Sequence, residues 1–325
     1  MTLSALPDLP PRLRGRHTSL PSGRWAGRLR EDPADFGPGG GRLRRWYYVA
    51  AGGEQASVGA AVVDLGVLAV SFAWALIGAR TLTWQRRIPL GRGAWVGAVP
   101  DGGAGALRRG QQVVLHADGS LELDVPTDAG RLRASVTTHH DVTPAVLVTR
   151  TPNIGWNVTQ KSAGTAVEGW VRVGDGPRTP LGMGASGWRD WTAGRQDRAT
   201  TWRWAAGGGW CENGQRVGLN ASTGMNGREL GEDVVWWEGI PYGLSVAHLR
   251  PADELDAEGA WDVGGPGWSL HLDPAGFRSE DLRIGPLVSR YVQPIGRFEG
   301  TLPGPEGTAR RVWLSGVTED HEAKW

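Results

Sequence analysis

The sequence lacks several features that mark particular classes of protein. Its 325 residues include one cysteine, Cys211, which excludes an internal disulfide and a cysteine-based metal site and favours a reducing compartment. The 35 basic and 34 acidic residues give a net charge of +1 without a basic stripe, so nucleic acid is not expected as a partner. No basic start is followed by an apolar run, and we expect a cytoplasmic protein without a secretory signal.

Motifs of common enzyme classes are also missing. No H-x-H, H-E-x-x-H or G-x-S-x-G spacing occurs. Gly182, Gly184 and Gly187 match G-x-G-x-x-G, but no strand-to-helix context for a nucleotide is predicted around them. A strand would point His139 and His140 to opposite faces, so at most one of them reaches an interior site. We therefore expect no metal and no cofactor, and keep these two histidines only as candidate ligand-binding residues.

Glycine and proline are abundant instead. Because 51 glycines and 21 prolines exceed what helices accept, and apolar residues come in short runs, the sequence predicts an all-β chain with very little helix. The uncharged stretch at residues 65–79 falls short of the roughly twenty residues that span a bilayer. Its large and small side chains alternate with a period of two, which predicts a long strand buried on both sides and no integral membrane segment.

Short strand-like runs recur along the rest of the chain. Asp-Gly and Gly-rich turns separate them, and a meander of this kind closes most economically into a barrel because closure removes the exposed sheet edges. The rhythm breaks at residues 151–153. We predict a Pro/Gly-rich extension over residues 1–41, a first β-barrel-like unit over 42–152 and a second over 153–325.

Five of the eighteen tryptophans lie within residues 182–210, with Asp190 and Asp197 between them. Buried aromatic rings exclude water and carboxyl groups tolerate burial poorly, so this segment predicts either a functional site or a dedicated partner for its acid. The alternative is an amphipathic hairpin. In a functional site Asp190 should point into a pocket within one barrel or where the two meet; in a structural segment a nearby arginine should pair with it. The nearby arginines are Arg189, Arg195, Arg198 and Arg203.

Several segments together resemble the family named domain of unknown function 2804. They cover about residues 42–316. The segments that carry the resemblance are RRWYYVA at 44–50, VVDLGVLAVSFAW at 62–74, the run at 156–194 that ends in GWRDWTAG, TWRWA at 201–205, GQRVGLN at 214–220 and PIGRFEGTL at 294–302.

The order of elements around Asp190 is also similar to the second domain of the carotenoid hydratase and AttH-like group. That resemblance implies two consecutive lipocalin-like antiparallel β-barrels. In the group a W-x-D segment lines the pocket and its aspartate is the favoured proton donor, which implies these roles for Trp188 and Asp190. After the aspartate this chain reads WTAG, where the hydratases commonly have a basic or histidine residue followed by an acid and a tryptophan.

Protonating an unactivated alkene requires an acid that stays neutral until it delivers its proton. Tryptophan walls raise the pKa of a carboxyl group by desolvation and present their π clouds to a carbocation. We expect Trp188 and Trp191 on the strand face opposite Asp190, so that the walls come from Trp202 or Trp204 on the next strand.

Three functions remain open on the sequence. The first is a hydro-lyase or isomerase for an apolar, lipid- or terpenoid-like molecule, with Asp190 as general acid, Glu168 as a second acid and Asn220 as an orienting amide. The second is a non-catalytic lipocalin-like carrier, in which the tryptophans fill a barrel mouth and bind a hydrophobic ligand. The third is a carbohydrate-active enzyme that uses Glu168 and Asp190 as a carboxylate pair roughly 5–10 Å apart.

Overall fold

The structure is a computed structural model that describes residues 3–13, 22–36, 42–139, 142–151, 155–224, 231–246, 248–285 and 287–324. Over these residues the chain is all-β, with two 3-10 turns at Pro33–Phe36 and Pro100–Gly102 and no α-helix. Within the same ranges no helical segment has the length and apolar character needed to cross a membrane. The predicted all-β class is confirmed.

The first sheet is curled and antiparallel. Its strands are β1 Gly23–Ala26, β2 Arg44–Gly52, β3 Ala56–Asp64, β4 Leu68–Ile77, β5 Arg80–Pro89, β6 Ala94–Val96, β7 Ala104–Arg108, β8 Gln111–Leu115, β9 Leu121–Thr127, β10 Gly130–Thr138, β11 Ala145–Arg150, β12 Trp156–Val173, β13 Thr179–Pro180 and β14 Ser186–Arg195. The main path runs β5-β4-β3-β2-β14-β12-β10-β9-β8-β7-β6; β11 pairs with β1 and β12, and β13 pairs with β12.

The second sheet is also curled and antiparallel, with its strands in the order β18-β17-β16-β15-β23-β22-β21-β20-β19. Its strands are β15 Ala199–Cys211, β16 Arg216–Thr223, β17 Val234–Trp237, β18 Ile240–Gly243, β19 His248–Pro251, β20 Trp261–Gly265, β21 Trp268–Ile284, β22 Leu287–Pro303 and β23 Ala309–Lys324. The predicted pair of consecutive barrel units is confirmed.

The chain passes from the first sheet to the second between Arg195 and Ala199. Strands β12 and β14, which the sequence analysis places in the second unit, are therefore hydrogen-bonded into the first sheet. Sheet membership alone does not define independently folding units, so the boundary at 152–153 stays a prediction.

The predicted strand at residues 65–79 is β4, and its alternation positions one wall of the site. The small residues on one face, such as Ala69 and Ser71, are buried inside the first barrel. On the other face, Trp74 is buried between the sheets, whereas Leu68 and Phe72 are half-buried. The strand is thus buried on both sides only towards its end, because a cavity borders Phe72.

Buried apolar side chains form three clusters, and the third joins the two sheets. One cluster lies within the first barrel and includes Trp191. Another lies among the strands of the second sheet and includes Trp261. The third lies between the sheets and contains Trp74, Trp188 and Trp236. Large aromatic rings bury about 150–250 Å² each, so this cluster supplies much of the apolar contact that joins the sheets.

Glycines allow the backbones of β12 and β16 to lie in direct contact beside this third cluster. Gly164 has a φ of +80° and shifts the register of β12 between Ala163 and Thr165. A Cβ on Gly218 of β16 would lie 2.2 Å from the backbone carbon of Ala163, a distance that no side chain can accept. Glycine at position 218 therefore fixes how closely β12 approaches β16.

The described parts of the predicted 1–41 extension wrap around both sheets. Strand β1 pairs with β11 of the first sheet, and the Leu6 amide donates a hydrogen bond of 3.0 Å to the carbonyl of Pro241 in the second. Leu3, Leu13 and Leu29 are buried. The segment thus packs on the body of the molecule without forming much regular structure.

Candidate functional site

A cavity with a volume of about 120 Å³ lies where the two sheets meet. Strands β2, β3, β4, β12 and β14 supply one wall, and β15, β16, β21, β22 and β23 supply the other. Its lining residues are Trp46, Tyr48, Ala61, Val63, Phe72, Lys161, Asp190, Trp202, Trp204, Ser222, Glu232, Arg278, Tyr291, Glu319 and His321. Six of these fifteen residues carry a Trp, Tyr or Phe ring, and six carry a group that can be charged.

One polar centre is built by strand register. Lys161 on β12 is the Cα partner of Asp190 on β14, which is in turn the partner of Tyr48 on β2, so the three side chains stand abreast. The Lys161 Nζ lies 2.8 Å from Asp190 Oδ2 and 3.0 Å from Glu232 Oε2. The Lys161 side chain is 4% exposed, so both ion pairs are shielded from water.

The charge of Lys161 is maintained by its two carboxylate neighbours. Burial lowers the pKa of the ammonium, but the charges and hydrogen bonds of Asp190 and Glu232 outweigh burial and raise the pKa above its ordinary value. Asp190 also accepts hydrogen bonds from Thr192 Oγ1 at 2.9 Å and from Trp46 Nε1 at 3.4 Å. Three donors therefore surround the Asp190 carboxyl group, namely the Lys161 ammonium, the Thr192 hydroxyl and the Trp46 indole N–H.

A second polar centre consists of Glu319 and His321 on β23. Glu319 accepts hydrogen bonds from Trp202 Nε1 at 3.0 Å and from Gln293 Nε2 at 2.8 Å, and its Oε1 lies 3.3 Å from His321 Nδ1. Burial raises the pKa of Glu319, but His321, the charge of Arg278 and the Trp202 hydrogen bond together lower it below its ordinary value.

The surroundings of His321 determine which of its nitrogens carries the proton. A carboxylate only accepts hydrogen bonds, so the Nδ1 atom that faces Glu319 is the protonated one. The Nε2 atom lies 3.1 Å from Ser289 Oγ, and the ring is 4.0 Å from Trp202 and 5.2 Å from Tyr291 between centroids. The imidazole is therefore fixed on both edges and available for proton exchange through Nε2.

Arg278 is the second full cation of the cavity. It is 4% exposed, and its guanidinium carbon lies 3.4 Å from the Phe72 centroid and 4.3 Å from the Tyr291 centroid. Its Nη2 atom donates a hydrogen bond of 2.9 Å to Gln85 Oε1. Burial lowers the pKa of Arg278 to about 9, against the opposing charges of Glu319 and Glu280.

Tyr48 forms the base of the cavity below Asp190. Its ring meets Trp204 edge-on at 5.3 Å between centroids. The Tyr48 hydroxyl and the indole N–H groups of Trp74 and Trp188 are buried without a hydrogen bond of ordinary geometry. Burial raises the pKa of Tyr48, and the two nearby indole N–H groups oppose this only in part. The phenol thus stays protonated and offers a donor at the base of the cavity.

The structure brings three of the sequence-predicted residues together, namely Asp190, Trp202 and Trp204. Trp191 lies on the opposite face of β14, inside the first barrel, where its Nε1 donates to the Gly97 carbonyl at 3.2 Å. The expectation that Trp188 shares this opposite face is wrong. Residues two apart on a strand point the same way, and Trp188 packs between the sheets on the side of Asp190.

The remaining predicted residues lie outside the cavity. Asn220 is buried behind Trp204 and accepts a hydrogen bond of 2.8 Å from its Nε1, so it orients that ring. Glu168 and His139 are exposed, and His140 lies outside the described residues. Glu168 follows Lys161, the strand partner of Asp190, by seven positions on β12, which is about 23 Å along the backbone at 3.3 Å per residue, so no glycosidase-type carboxylate pair forms.

The partner of Asp190 is a lysine and none of the four arginines considered from the sequence. Arg189 donates to Ser162 Oγ at 2.6 Å, and Arg203 pairs with Asp320 at 2.9 Å. Lys161 and Lys324 are the only lysines of the chain, whose 35 basic residues are otherwise arginine. This isolated use of lysine is a signal that the sequence analysis missed. A lysine suits the position because a compact ammonium can bind two carboxylates in a small space.

Solved structures with this fold include a candidate AttH protein from Nitrosomonas europaea, with 13% identity, a TM-score of 0.54 and coverage of 92% of this chain and 97% of that chain. Kievitone hydratase from Nectria haematococca is similar at 10% identity, with a TM-score of 0.51 and coverage of 86% of this chain and 88% of that chain. At such identities the likeness shows the fold alone. No curated protein matches the sequence. The model of the domain of unknown function family DUF2804 matches residues 29–325, and the chain belongs to that family.

Proposed function

We propose that the protein is a hydro-lyase or isomerase that moves protons on a largely apolar small molecule bound between the two sheets. The observation that carries the proposal is that two proton-exchanging centres line one aromatic cavity: Asp190 with Lys161 and Glu232, and His321 with Glu319. Removal of water by aromatic walls strengthens electrostatic interactions within such a site.

Asp190 is the group that exchanges a proton with carbon in this proposal. In dehydration, or in the first step of a double-bond shift, its carboxylate removes the proton from carbon. In the reverse direction the same group, once protonated, is the acid that adds a proton to the alkene.

His321 is the second proton-transfer group. In dehydration the C–H bond breaks as Asp190 takes the proton, the C–O bond breaks, the C=C bond forms, and the hydroxyl leaves as water with a proton from the imidazolium. Glu319 stabilises the imidazolium and fixes its orientation. The hydroxyl of Ser289, 3.1 Å from Nε2, lies in the path of that proton.

Deuterium exchange tests the proposal without knowledge of the natural substrate. Terpenoid alcohols, hydroxylated fatty acids and the corresponding alkenes are incubated with the protein in heavy water, and deuterium in carbon is measured by mass spectrometry. We expect exchange with at least one compound, and a loss of about 10²- to 10⁴-fold in Asp190→Asn and His321→Gln.

Glu168→Gln is the matched control, since it neutralises an exposed carboxylate outside the cavity. It should exchange at the wild-type rate. Equal rates in Asp190→Asn and wild type would remove Asp190 from the mechanism. Equal rates in all variants would place the chemistry elsewhere.

A non-catalytic carrier is the second candidate, and one observation favours it. The three carboxylates of the cavity already have partners of their own in Lys161 and in the donors around Glu319. A carrier would bind its ligand equally well after Asp190→Asn and would exchange no deuterium. Native mass spectrometry of protein from its own host would show the co-purifying ligand directly.

A further inference from the structure

We propose that the ligand of this cavity is amphiphilic, with an apolar body and a carboxylate that binds Arg278. This inference names the substrate class of the proposed function and rests on it for the chemistry, while the binding it describes can be measured separately. Arg278 is the feature of the cavity that the proton-transfer scheme does not use.

Arg278 is a buried cation that forms no direct ion pair with a carboxylate of the described residues. No carboxylate oxygen of the described residues lies within 4 Å of its guanidinium, whereas Lys161 in the same cavity has two. Glu319, the nearest opposing charge by its effect on Arg278, is already committed to hydrogen bonds from Trp202 and Gln293. Burying a charge that is neither paired nor fully hydrogen-bonded is unfavourable, and a bound anion would relieve that cost.

The geometry around Arg278 also favours a carboxylate. The hydrogen bond from Nη2 to Gln85 fixes one edge of the guanidinium, and Gln85 is itself held by the Tyr291 hydroxyl at 3.2 Å and by Glu280. The guanidinium carbon also lies over the Phe72 and Tyr291 rings. A guanidinium has five N–H donors, and its planar fork matches the two oxygens of a carboxylate. Arg278 is thus oriented in advance for a carboxylate at its free edge.

A second cleft beside Arg278 carries an excess of positive charge. Arg278 also borders an open cleft at the seam between β5 and β21, lined by Thr83, Trp84, Gln85, Arg86, Arg87, Ser279 and Glu280. Within this cleft three arginines face one glutamate, and that glutamate pairs with Arg87 at 2.9 Å. An excess of positive charge in a cleft attracts anions towards its floor. An amphiphile that enters here would place its carboxylate at Arg278 and its apolar body against the aromatic walls.

Matched pairs of probes test the inference. The wild-type protein is titrated with 3-phenylpropanoate and 3-phenylpropan-1-ol, and with octanoate and octan-1-ol, by tryptophan fluorescence at fixed ionic strength and pH 7.5. We expect each acid to bind about tenfold or more tightly than its alcohol. In Arg278→Met the preference should fall to about onefold while the affinity for the alcohols stays within about threefold, and Arg278→Lys should be intermediate because it keeps the charge and loses the fork.

The control variant is Arg283→Met, which removes an exposed arginine from the same strand. It should keep the wild-type preference for acids. Equal binding of acid and alcohol to the wild type overturns the inference without any variant, so a folding failure of Arg278→Met leaves it testable. A preference that survives in folded Arg278→Met overturns it as well.

The outcomes also separate this inference from the proposed reaction. Protein that prefers the acids but exchanges no deuterium with any compound contradicts the proposed reaction and supports the carboxylate site. Protein that exchanges deuterium with neutral compounds and shows no preference for acids contradicts the carboxylate site alone.

Discussion

Replacing Lys161 with methionine should reveal how strongly the cavity depends on its central ammonium. Methionine has a similar length and no charge, so the change leaves Asp190 and Glu232 without the cation that lies between them. The two carboxylate oxygens that contact Nζ lie no further apart than about 5.8 Å, the two ion-pair distances taken end to end. At that separation two unit charges repel by about 3 kcal/mol at an effective dielectric constant near 20.

Loss of one partner from a buried ion pair costs about 3–5 kcal/mol in general, which agrees with this repulsion plus the lost attraction. We therefore expect Lys161→Met to lower the free energy of unfolding by about 3–5 kcal/mol at pH 8, measured by urea denaturation. The loss should be smaller at pH 5, since a carboxylate beside another carboxylate takes up a proton more readily.

The triple variant Lys161→Met, Asp190→Asn, Glu232→Gln is the control for charge. It removes the repulsion with little change of volume, so it should recover most of the lost stability at pH 8. A loss below about 1 kcal/mol in Lys161→Met, or a loss equal at pH 5 and pH 8, would falsify the assignment of Lys161 as the counter-ion of both carboxylates.

Three further predictions concern the supports of the site. Burial raises the pKa of Asp233 from 3.8 to about 7, so the folded state holds this proton more tightly than the unfolded state does. The free energy of unfolding therefore falls as pH rises from about 4 to 7. Asp233→Asn should stabilise the protein by up to about 4 kcal/mol at pH 8 and by much less at pH 4, which thermal unfolding would show. Asn220→Leu leaves the Trp204 N–H unpaired and should cost about 1–3 kcal/mol, with a red-shifted tryptophan emission as the readout of a released ring. Gly218→Val places atoms against the Ala163 backbone and should cost more than 1–3 kcal/mol or prevent folding, whereas wild-type stability would show that the sheets separate easily there.

The sequence predicts the strands well where alternation is regular and poorly where glycine or proline interrupts it. Strand β12 continues through Gly164, where a bulge shifts its register, although the sequence is equally consistent with a turn there. Strand β21 likewise continues through a register shift between Pro274 and Gly276. A glycine with positive φ serves a turn or a bulge equally well, and only the partner strand decides which one forms.

The site could be predicted only in its local part. The tryptophan and aspartate alternation points to Asp190, Trp202 and Trp204, all of which line the cavity. The residues that determine the chemistry of Asp190 come from elsewhere: Lys161 through the β12–β14 register, and Glu232 from the segment before β17. Pairing of distant strands is set by burial of whole faces, and a single sequence records those faces without saying which of them meet.

Docking of the two sheets creates the cavity, because neither sheet holds its complete set of charges. The first sheet contributes Lys161 and Asp190, the second contributes Arg278, Glu319 and His321, and Glu232 comes from the segment before β17. Docking of the sheets removes water from these six groups, so the third apolar cluster and the glycine contact between the sheets must offset their desolvation. The pairing of Asp190 with Lys161 and of Glu319 with His321 reduces that cost within each sheet. Arg278 has no such carboxylate partner among the described residues, so a bound anion would strengthen sheet docking, and loosening the sheets would weaken ligand binding before it unfolds either sheet.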